Sequence, residues 1–360
     1  MIRILTLETT CDETAAAVVS VRLEVLGAMV ASQDEFHRQF GGVVPEIASR
    51  AHLERILPII DATLKQAGIS LDELDAVSVA NRPGLAGALL VGVATAKAIC
   101  LAINKPLIAV NHLQGHIYAC RVALAGARGE GRGARDDGRG KVPEDNDSCD
   151  IFPCIGLIVS GGHTSLYRCA GPIDFELLGS TIDDAAGEAF DKVASMLGLE
   201  YPGGPAIQRA AAEGNPRAYR FPRALLGDPE RLDFSFSGLK TAVRYKIAGP
   251  GRADFSQIRL SQQEIANIAA SFQEAVVDVL RGKALQAMNK TGMSTLCIGG
   301  GVAANARFRE KMAQAAEKHG FRLHIAPLNL CTDNAVMGAI AIERYRAGLF
   351  EPLDLDAFPT

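Results

Sequence analysis

Two histidines, His112 and His116, stand four residues apart in the run NHLQGHIYA. In a helix, residues i and i+4 share a face, so this spacing offers two imidazoles to one metal ion. A hydrolytic zinc helix also carries a glutamate beside its first histidine, to activate the metal-bound water. Here that place is taken by Leu113, with Gln114 next. Neither is a general base. The pair can bind metal, but the local apparatus for proteolysis is missing. The plainer alternative is two packed or capping histidines.

Three other stretches have the composition of anion or nucleotide loops. Ser160-Gly161-Gly162-His163-Thr164 stands between two apolar runs. Glycines let backbone amides approach an anion, and clustered amides form a nest for it; a plain hairpin turn uses the same residues. Gly299-Gly300-Gly301 separates an apolar run from a helical one whose first turn holds Asn305. A helix N-terminus there offers free N–H groups, although a tight strand-to-helix turn needs glycine equally. In residues 180–207, Asp183, Asp184, Glu188 and Asp191 crowd the start of a helix, and Pro202-Gly203-Gly204-Pro205 ends it. The helix dipole alone stabilises carboxylates so placed. The functional alternative is a carboxylate that grips ribose hydroxyls beside a Gly-Gly turn on which a base lies flat.

The elements that position these residues alternate between strand and helix. Residues 2–7 form a strand, TTCDET a polar turn and Ala15–Val21 a second strand. Asp12 and Glu13 therefore sit at a hairpin tip. Residues 46–67 predict a long helix from Ile47, Leu53, Ile56, Leu57, Ile60 and Leu64. Asp75–Ala80 is a strand broken by Pro83-Gly84. Ala86–Ile103 is a small-residue helix, and the strand Leu107–Val110 runs straight into the histidines. Residues 154–169 repeat the strand–turn–strand form, which implies two similar α/β halves. Helices are predicted at about 183–199, 205–213 and 261–290, then a strand, the triple-glycine turn, a helix and a strand at Leu323–Ala326. Residues 331–346 predict one final helix, with Thr332, Asp333 and Asn334 as capping candidates. Residues 125–150 are rich in Gly, Arg and Asp and lack large apolar side chains, which predicts a disordered insertion. Its arginines could meet RNA phosphates; a solvated insertion is the plainer account.

Bulk composition sets further bounds. The 360 residues suggest two domains, and 48% hydrophobic content is enough for a sizeable core. A formal net charge of −4 excludes a protein that coats nucleic acid by charge alone. The 8 cysteines form no CxxC pair and lie mainly in apolar stretches, as expected of reduced thiols in an intracellular protein. Glu8, Asp12 and Glu13 interrupt the N-terminus where a signal peptide would be apolar, and no uninterrupted run approaches the roughly 20 apolar residues of a membrane span. The expectation is a cytoplasmic protein without a membrane segment. Three nucleotide-type loops on two repeated halves fit a nucleotide held in a cleft between lobes, as in actin, sugar kinases and heat-shock ATPases.

In this order, ETTCDETAAAVV, NHLQGHIYA, SGGHTSLY, DAAGEAFDKVA, YPGGPAI, FSFSGLKTA, GGGVAANARFR and CTDNAVMGA resemble the universal tRNA threonylcarbamoyladenosine synthesis family, and its bacterial transferases most of all. The resemblance covers nearly the whole chain outside residues 125–150. This family was once labelled an O-sialoglycoprotein endopeptidase, the very reading that Leu113 argues against. The resemblance implies an α/β, actin-like two-lobe fold with two RNase H-like halves. Residues 1–110 with 333–360 would form one lobe and 111–332 the other. It implies one divalent metal, Fe2+ or Zn2+, on His112, His116 and Asp333. Adenine-nucleotide contacts fall on Ile158, Val159, Ser160, Gly161, Gly162, Asp191, Gly204 and Asn305, and Asp12 and Glu13 lie near the reaction centre. The implied reaction moves a threonylcarbamoyl group from its adenylate, made by a separate synthase, to an adenosine of tRNA. A paralogous actin-like subunit and a small ATPase are the implied partners. One departure is visible: the family usually has Gly-Pro-Gly-Leu where this chain has Arg82-Pro83-Gly84-Leu85. The rival reading is an actin-like small-molecule kinase or ATPase, which has no use for the histidine pair.

Overall fold

The computed structural model describes residues 1–132, 150–249 and 259–359. The first half opens with a meander of β1 (Arg3–Glu8), β2 (Glu13–Ser20) and β3 (Val25–Ser32). The short α1 (Asp34–His37), the long α2 (Pro45–Ala67), β4 (Ala76–Arg82), α3 (Ala86–Ile103), β5 (Leu107–Asn111) and α4 (His112–Arg132) follow. The strands form one sheet in the order β3-β2-β1-β4-β5. The meander is antiparallel, while β4 and β5 join in parallel.

The second half repeats this plan. Its meander is β6 (Cys154–Val159), β7 (Thr164–Gly171) and β8 (Asp174–Ser180). Helices α5 (Ala186–Met196), α6 (Gly203–Ala211), α7 (Ser237–Ala248) and α8 (Gln262–Thr291) lead to β9 (Thr295–Gly299), α9 (Ala306–His319) and β10 (Arg322–Ile325). The sheet order is β10-β9-β6-β7-β8, again with an antiparallel meander and two parallel additions. The chain closes through α10 (Leu328–Cys331), a 3-10 turn at Ala335–Ile340 and α11 (Ala341–Arg346).

Strand periodicity explains the layers, because alternate residues face opposite sides of a sheet. On the first sheet Leu5, Leu7, Val77 and Val79 pack against Ile56, Ile60 and Leu64 of α2 and Val93 and Ala96 of α3. The other face, with Ile4, Ala15, Ala17 and Ile108, joins a second core that runs through α4 and the 335–340 turn into the second half. Helix α4 and that turn are thus wedged between the lobes. Thr6 Oγ1 donates to the Ala335 carbonyl at 2.6 Å, and a Cβ at Gly115 would stand 3.1 Å from the Met337 carbonyl oxygen. Helix α3 is long and apolar enough, by length and composition, to cross a membrane. Here its buried face packs on the first sheet and beside α2.

Several expectations need correction. Strands β3 and β8 escaped the sequence reading. Helix α4 continues to Arg132, so residues 125–132 are helical; residues 133–149 lie outside the described residues. Leu53 and Leu57 of α2 are 70% and 63% exposed and face away from the core. Pro202–Pro205 does not simply end a helix: Gly203 and Gly204 open α6. Residues 331–346 are not one helix, since Thr332 and Asn334 have extended backbones. Cys100, Cys120, Cys154, Cys169, Cys297 and Cys331 are buried free thiols.

Candidate active site

A cavity of about 1040 Å3 lies where the two hairpin tips face each other. Thr10–Glu13 from the β1–β2 tip and Ser160–Thr164 from the β6–β7 tip line it, with His112, Asp191, Tyr201, Gly301, Thr332 and Asp333.

The N-terminal turn of α4 builds one wall. His116 is fully buried and His112 nearly so, with ring centroids 4.6 Å apart at 76°. Asp333 reaches them from the extended stretch before the 335–340 turn. Its Oδ1 is 3.5 Å from His112 Nε2 and 3.2 Å from His116 Nε2. The shorter contact lacks hydrogen-bond geometry, and both His116 ring nitrogens are buried without a hydrogen-bond partner. One possible ligand atom from each of His112, His116 and Asp333 lies within 4.8 Å of the other two. Around an ion with bonds of about 2.0–2.2 Å, tetrahedral ligand atoms stand roughly 3.3–3.6 Å apart. Both imidazole–carboxylate distances are close to that. The three side chains fit a divalent ion.

A buried carboxylate supports the fit. Glu8, at the end of β1, places Oε2 3.1 Å from His112 Nδ1, which also lies 3.2 Å from Thr10 Oγ1. A proton on Nδ1 donated to Glu8 leaves Nε2 free as a ligand, the arrangement usual behind metal-binding histidines. Burial disfavours the imidazolium, but Asp333 and Glu8 outweigh it, and together they push the His112 pKa up to about 9. Burial and the charge of His112 lower the His116 pKa. Burial alone would raise the Asp333 carboxyl; His112 and His116 hold it well below the usual range. Asn334 performs the capping, accepting from the Met337 amide at 3.3 Å. Asp333 is therefore not a helix cap, and its carboxylate is directed at the histidines.

The two tips differ chemically. The first is acidic. Its backbone is pinned by His52, whose Nε2 donates to the Cys11 carbonyl at 3.0 Å and whose Nδ1 accepts from Thr14 Oγ1 at 2.8 Å. Burial, then Asp333 and Asp12, pushes the Glu13 pKa well up. The second tip is neutral. Its Ser160 and Gly161 carbonyls accept from the Gly187 and Glu188 amides at 3.1 Å each, docking it on the start of α5. Gly161 and Gly162 are exposed and turn their backbone to the cavity.

A family model described as TsaD: tRNA N6-adenosine threonylcarbamoyltransferase matches residues 24–129 and 142–340. The chain belongs to this family. The tRNA N6-adenosine threonylcarbamoyltransferase of Rhodopirellula baltica is 54% identical over 365 residues, spanning 99% of this chain and 96% of the relative. That of Symbiobacterium thermophilum is 48% identical over 357 residues, spanning 99% and 95%. In shape the chain is similar to full-length HypF, with a TM-score of 0.59 at 14% identity over 97% of this chain and 56% of that one. Component A of the (R)-2-hydroxyglutaryl-CoA dehydratase of Acidaminococcus fermentans gives 0.51 at 11% identity over 96% and 100%. The fold is the actin-like two-lobe type.

Within this threonylcarbamoyltransferase family member, Asp12, Glu13, His112, Ser160, Gly161, Gly162, Asp191 and Asp333 share one cavity. His116 stands directly behind it. Ile158 and Val159 are fully buried in β6. Gly204 is in the first turn of α6, outside the cavity lining. Asn305 caps α9 by accepting from the Phe308 amide at 3.0 Å, and its Nδ2 donates to Gln273 at 2.8 Å. Of the triple glycine only Gly301 lines the cavity. A Cβ on Gly299 would stand 2.3 Å from the His116 carbonyl oxygen, and one on Gly300 2.4 Å from that of Val159. Close packing of β9 on α4 and β6 thus explains those two residues. Asp183 is spent on the 235–237 segment, accepting from Ser235, Phe236 and Ser237. Asp184 pairs with Lys192 and Lys240. Sequence reasoning missed Glu8, His163, Tyr201 and Thr332. Glu8 did leave a signal, as an acid at the end of an otherwise apolar strand.

Proposed function

We propose that this chain transfers the threonylcarbamoyl group from threonylcarbamoyl-AMP to the exocyclic amine of the adenosine 3′ of the anticodon, in tRNAs reading codons that begin with adenine. The amine nitrogen bonds to the carbamoyl carbon, the bond from that carbon to the phosphate oxygen breaks, and AMP leaves. The observation that carries the reading is the convergence of His112, His116 and Asp333 at the junction of two chemically opposite hairpin tips, in a chain 54% identical to a relative named for this activity.

Each part of the cavity has work to do. The Ser160–Gly162 backbone and Gly301 receive the adenylate phosphate, because amides in a glycine turn bind anions without side-chain bulk. Asp191 stands where a ribose hydroxyl can donate to it. Glu13, whose proton affinity is raised by burial, and Asp12 beside it are placed to take the proton shed by the attacking amine. Fe2+ or Zn2+ held by His112, His116 and Asp333 would supply Lewis-acid polarisation and an anchor for the threonyl group. An anticodon-loop base is unpaired and enters without melting a duplex. Fixing the amine against the carbonyl supplies much of the rate gain.

The partners follow the same reading. Leu53 and Leu57 on α2, with Leu90 and Leu101 on α3, leave apolar side chains exposed on the outer face of the first lobe. That face suits a paralogous actin-like subunit. A small accessory ATPase and a separate synthase complete the cytoplasmic pathway.

The test is transfer of radiolabelled threonine, as threonylcarbamoyl-AMP, onto purified tRNA. Activity in the wild type and its loss in His112→Ala, with metal content followed by elemental analysis, is the expected result. A His112→Ala protein that keeps metal and activity would sink the assignment. Sugar-dependent ATP hydrolysis without transfer would favour the kinase reading.

A further inference from the structure

A second groove, of about 630 Å3, opens directly off the main cavity, and Gly41, Asp191, Ser195 and Tyr201 line both. This volume is in the range of about 300–1,000 Å3 that holds a small organic ligand. Arg38, just after α1 in the first lobe, and Arg209, on α6 of the second, line the groove with Tyr201, Pro202 and Pro205.

The charge state of its cations sets this groove apart. Within the main cavity Lys192 is neutralised by Asp184 at 2.8 Å and Glu188 at 2.6 Å, and Lys240 near it by Asp184 at 2.5 Å. Arg38 has no ion pair among the described residues, although Asp34 is close enough to feel its charge. Arg209 is 66% exposed, and its nearest carboxylate is Glu200 at 3.8 Å, itself 87% exposed. So long and screened a pair contributes little. Both guanidinium groups are free to bind an anion at the mouth of a cavity lined by Asp12, Glu13, Glu188, Asp191 and Asp333. A polyanion approaching this acidic interior, on a chain of formal net charge −4, needs local cations at the entrance. Tyr201 adds a half-buried aromatic side chain to the lining of the same groove.

We propose that this groove holds the single-stranded nucleotides flanking the reacting adenosine, with Arg38 and Arg209 on backbone phosphates and Tyr201 as a stacking platform. The proposal rests on the transferase reading and assigns its RNA entrance. Phosphate-binding cations beside an aromatic ring are how proteins hold unpaired nucleic acid without reading its sequence. The groove joins the two lobes, so RNA seated there also spans the cleft.

The test uses the protein with whatever accessory proteins its transfer reaction needs, and measures KM for tRNA across a salt series. The double variant Arg38→Ala/Arg209→Ala should raise KM for tRNA about tenfold. It should also lower the slope of log affinity against log salt by about 1.4, or about 0.7 for each single-strand phosphate deprived of its arginine. KM for threonylcarbamoyl-AMP should not change. Arg38→Lys/Arg209→Lys should restore the slope, because the charge is kept. An active Ala variant with wild-type KM for tRNA and wild-type slope overturns the groove assignment and leaves the transferase reading intact. A rise in KM for the adenylate instead would place the arginines on the donor and overturn it as well. Absence of transfer onto any tRNA by the wild type overturns both.

Discussion

The two halves have the same plan, an antiparallel meander extended by two parallel strands, yet their first hairpin tips do opposite chemistry. In the first half the tip presents Asp12 and Glu13; in the second it presents Ser160, Gly161 and Gly162. Each tip rests on a glycine that has no room for a side chain. A Cβ on Gly84 would lie 2.6 Å from the Thr10 carbonyl oxygen, and one on Gly187 2.5 Å from that of Ser160. The support is shared and the tip residues diverge. The repeated topology positions two turns face to face, and the turn sequence alone decides which one carries acids and which offers amides.

The likeness of the halves breaks most completely at residues that the repeat does not explain. His112 and His116 start the helix after β5, and Asp333 comes from the segment after the second sheet. Asp333→Ala should remove bound metal and cut transfer by at least ~100-fold, since even the partners behind metal ligands are worth about 10–100-fold. Elemental analysis beside the transfer assay checks this, and full metal occupancy in the variant would remove Asp333 from the site. Because Asn334 holds the cap, helical content should not change.

Gly84→Ala and Gly187→Ala sharpen the contrast between the tips. Both should cost about 1–3 kcal/mol of stability through overpacking against backbone, read by thermal denaturation. Calorimetry should find adenine-nucleotide binding weakened in Gly187→Ala and largely kept in Gly84→Ala, whose loss falls on transfer. Equal loss of nucleotide binding in both would erase the proposed division of labour.

The last effect is on stability alone and concerns Asp191, a carboxylate of the second half that feels the charge of the first half's Asp12. Burial, with Asp12 and Glu188, pushes its pKa up to about 6, against the hydrogen bond from the Gly203 amide. A carboxyl whose folded pKa is raised costs stability as pH climbs from its ordinary value to the folded one, because the folded state then holds the extra proton. Asp191→Asn can still accept from Gly203. It should nearly match the wild type near pH 4 and exceed it by about 3 kcal/mol above pH 6. Melting curves across pH decide the matter; identical curves would mean that the carboxyl is not held up.

Legibility in the sequence followed burial. β1, β2, β4 and β6 were readable because both faces of their sheet are covered, so nearly every residue along them is buried and most are apolar. β3 and β8 were not: as edges of their meanders they show mostly exposed faces, and VLGAMVAS and DFELLGS carry no clean alternation. The histidine pair was legible from spacing. Asp333 was assigned by family resemblance, and its extended backbone could not be seen in CTDNAVMGA, where helical spacing hides the break at Thr332–Asn334. Leu53 and Leu57 matched the helical period of α2 but serve its outer face. Periodicity reports an apolar stripe without saying which neighbour covers it.

The placement of Asp333 has a consequence for the order in which this protein is made. More than two hundred residues separate His116 from Asp333, which at about 5–20 residues per second is roughly 10–40 s of synthesis. During that interval the growing chain exposes two imidazoles without their carboxylate, and the Ala335–Ile340 wedge beneath Thr6 is missing. The three side chains can therefore meet only once Asp333 has been made, so an ion that needs all of them would report that the segment after the second sheet has docked between the lobes.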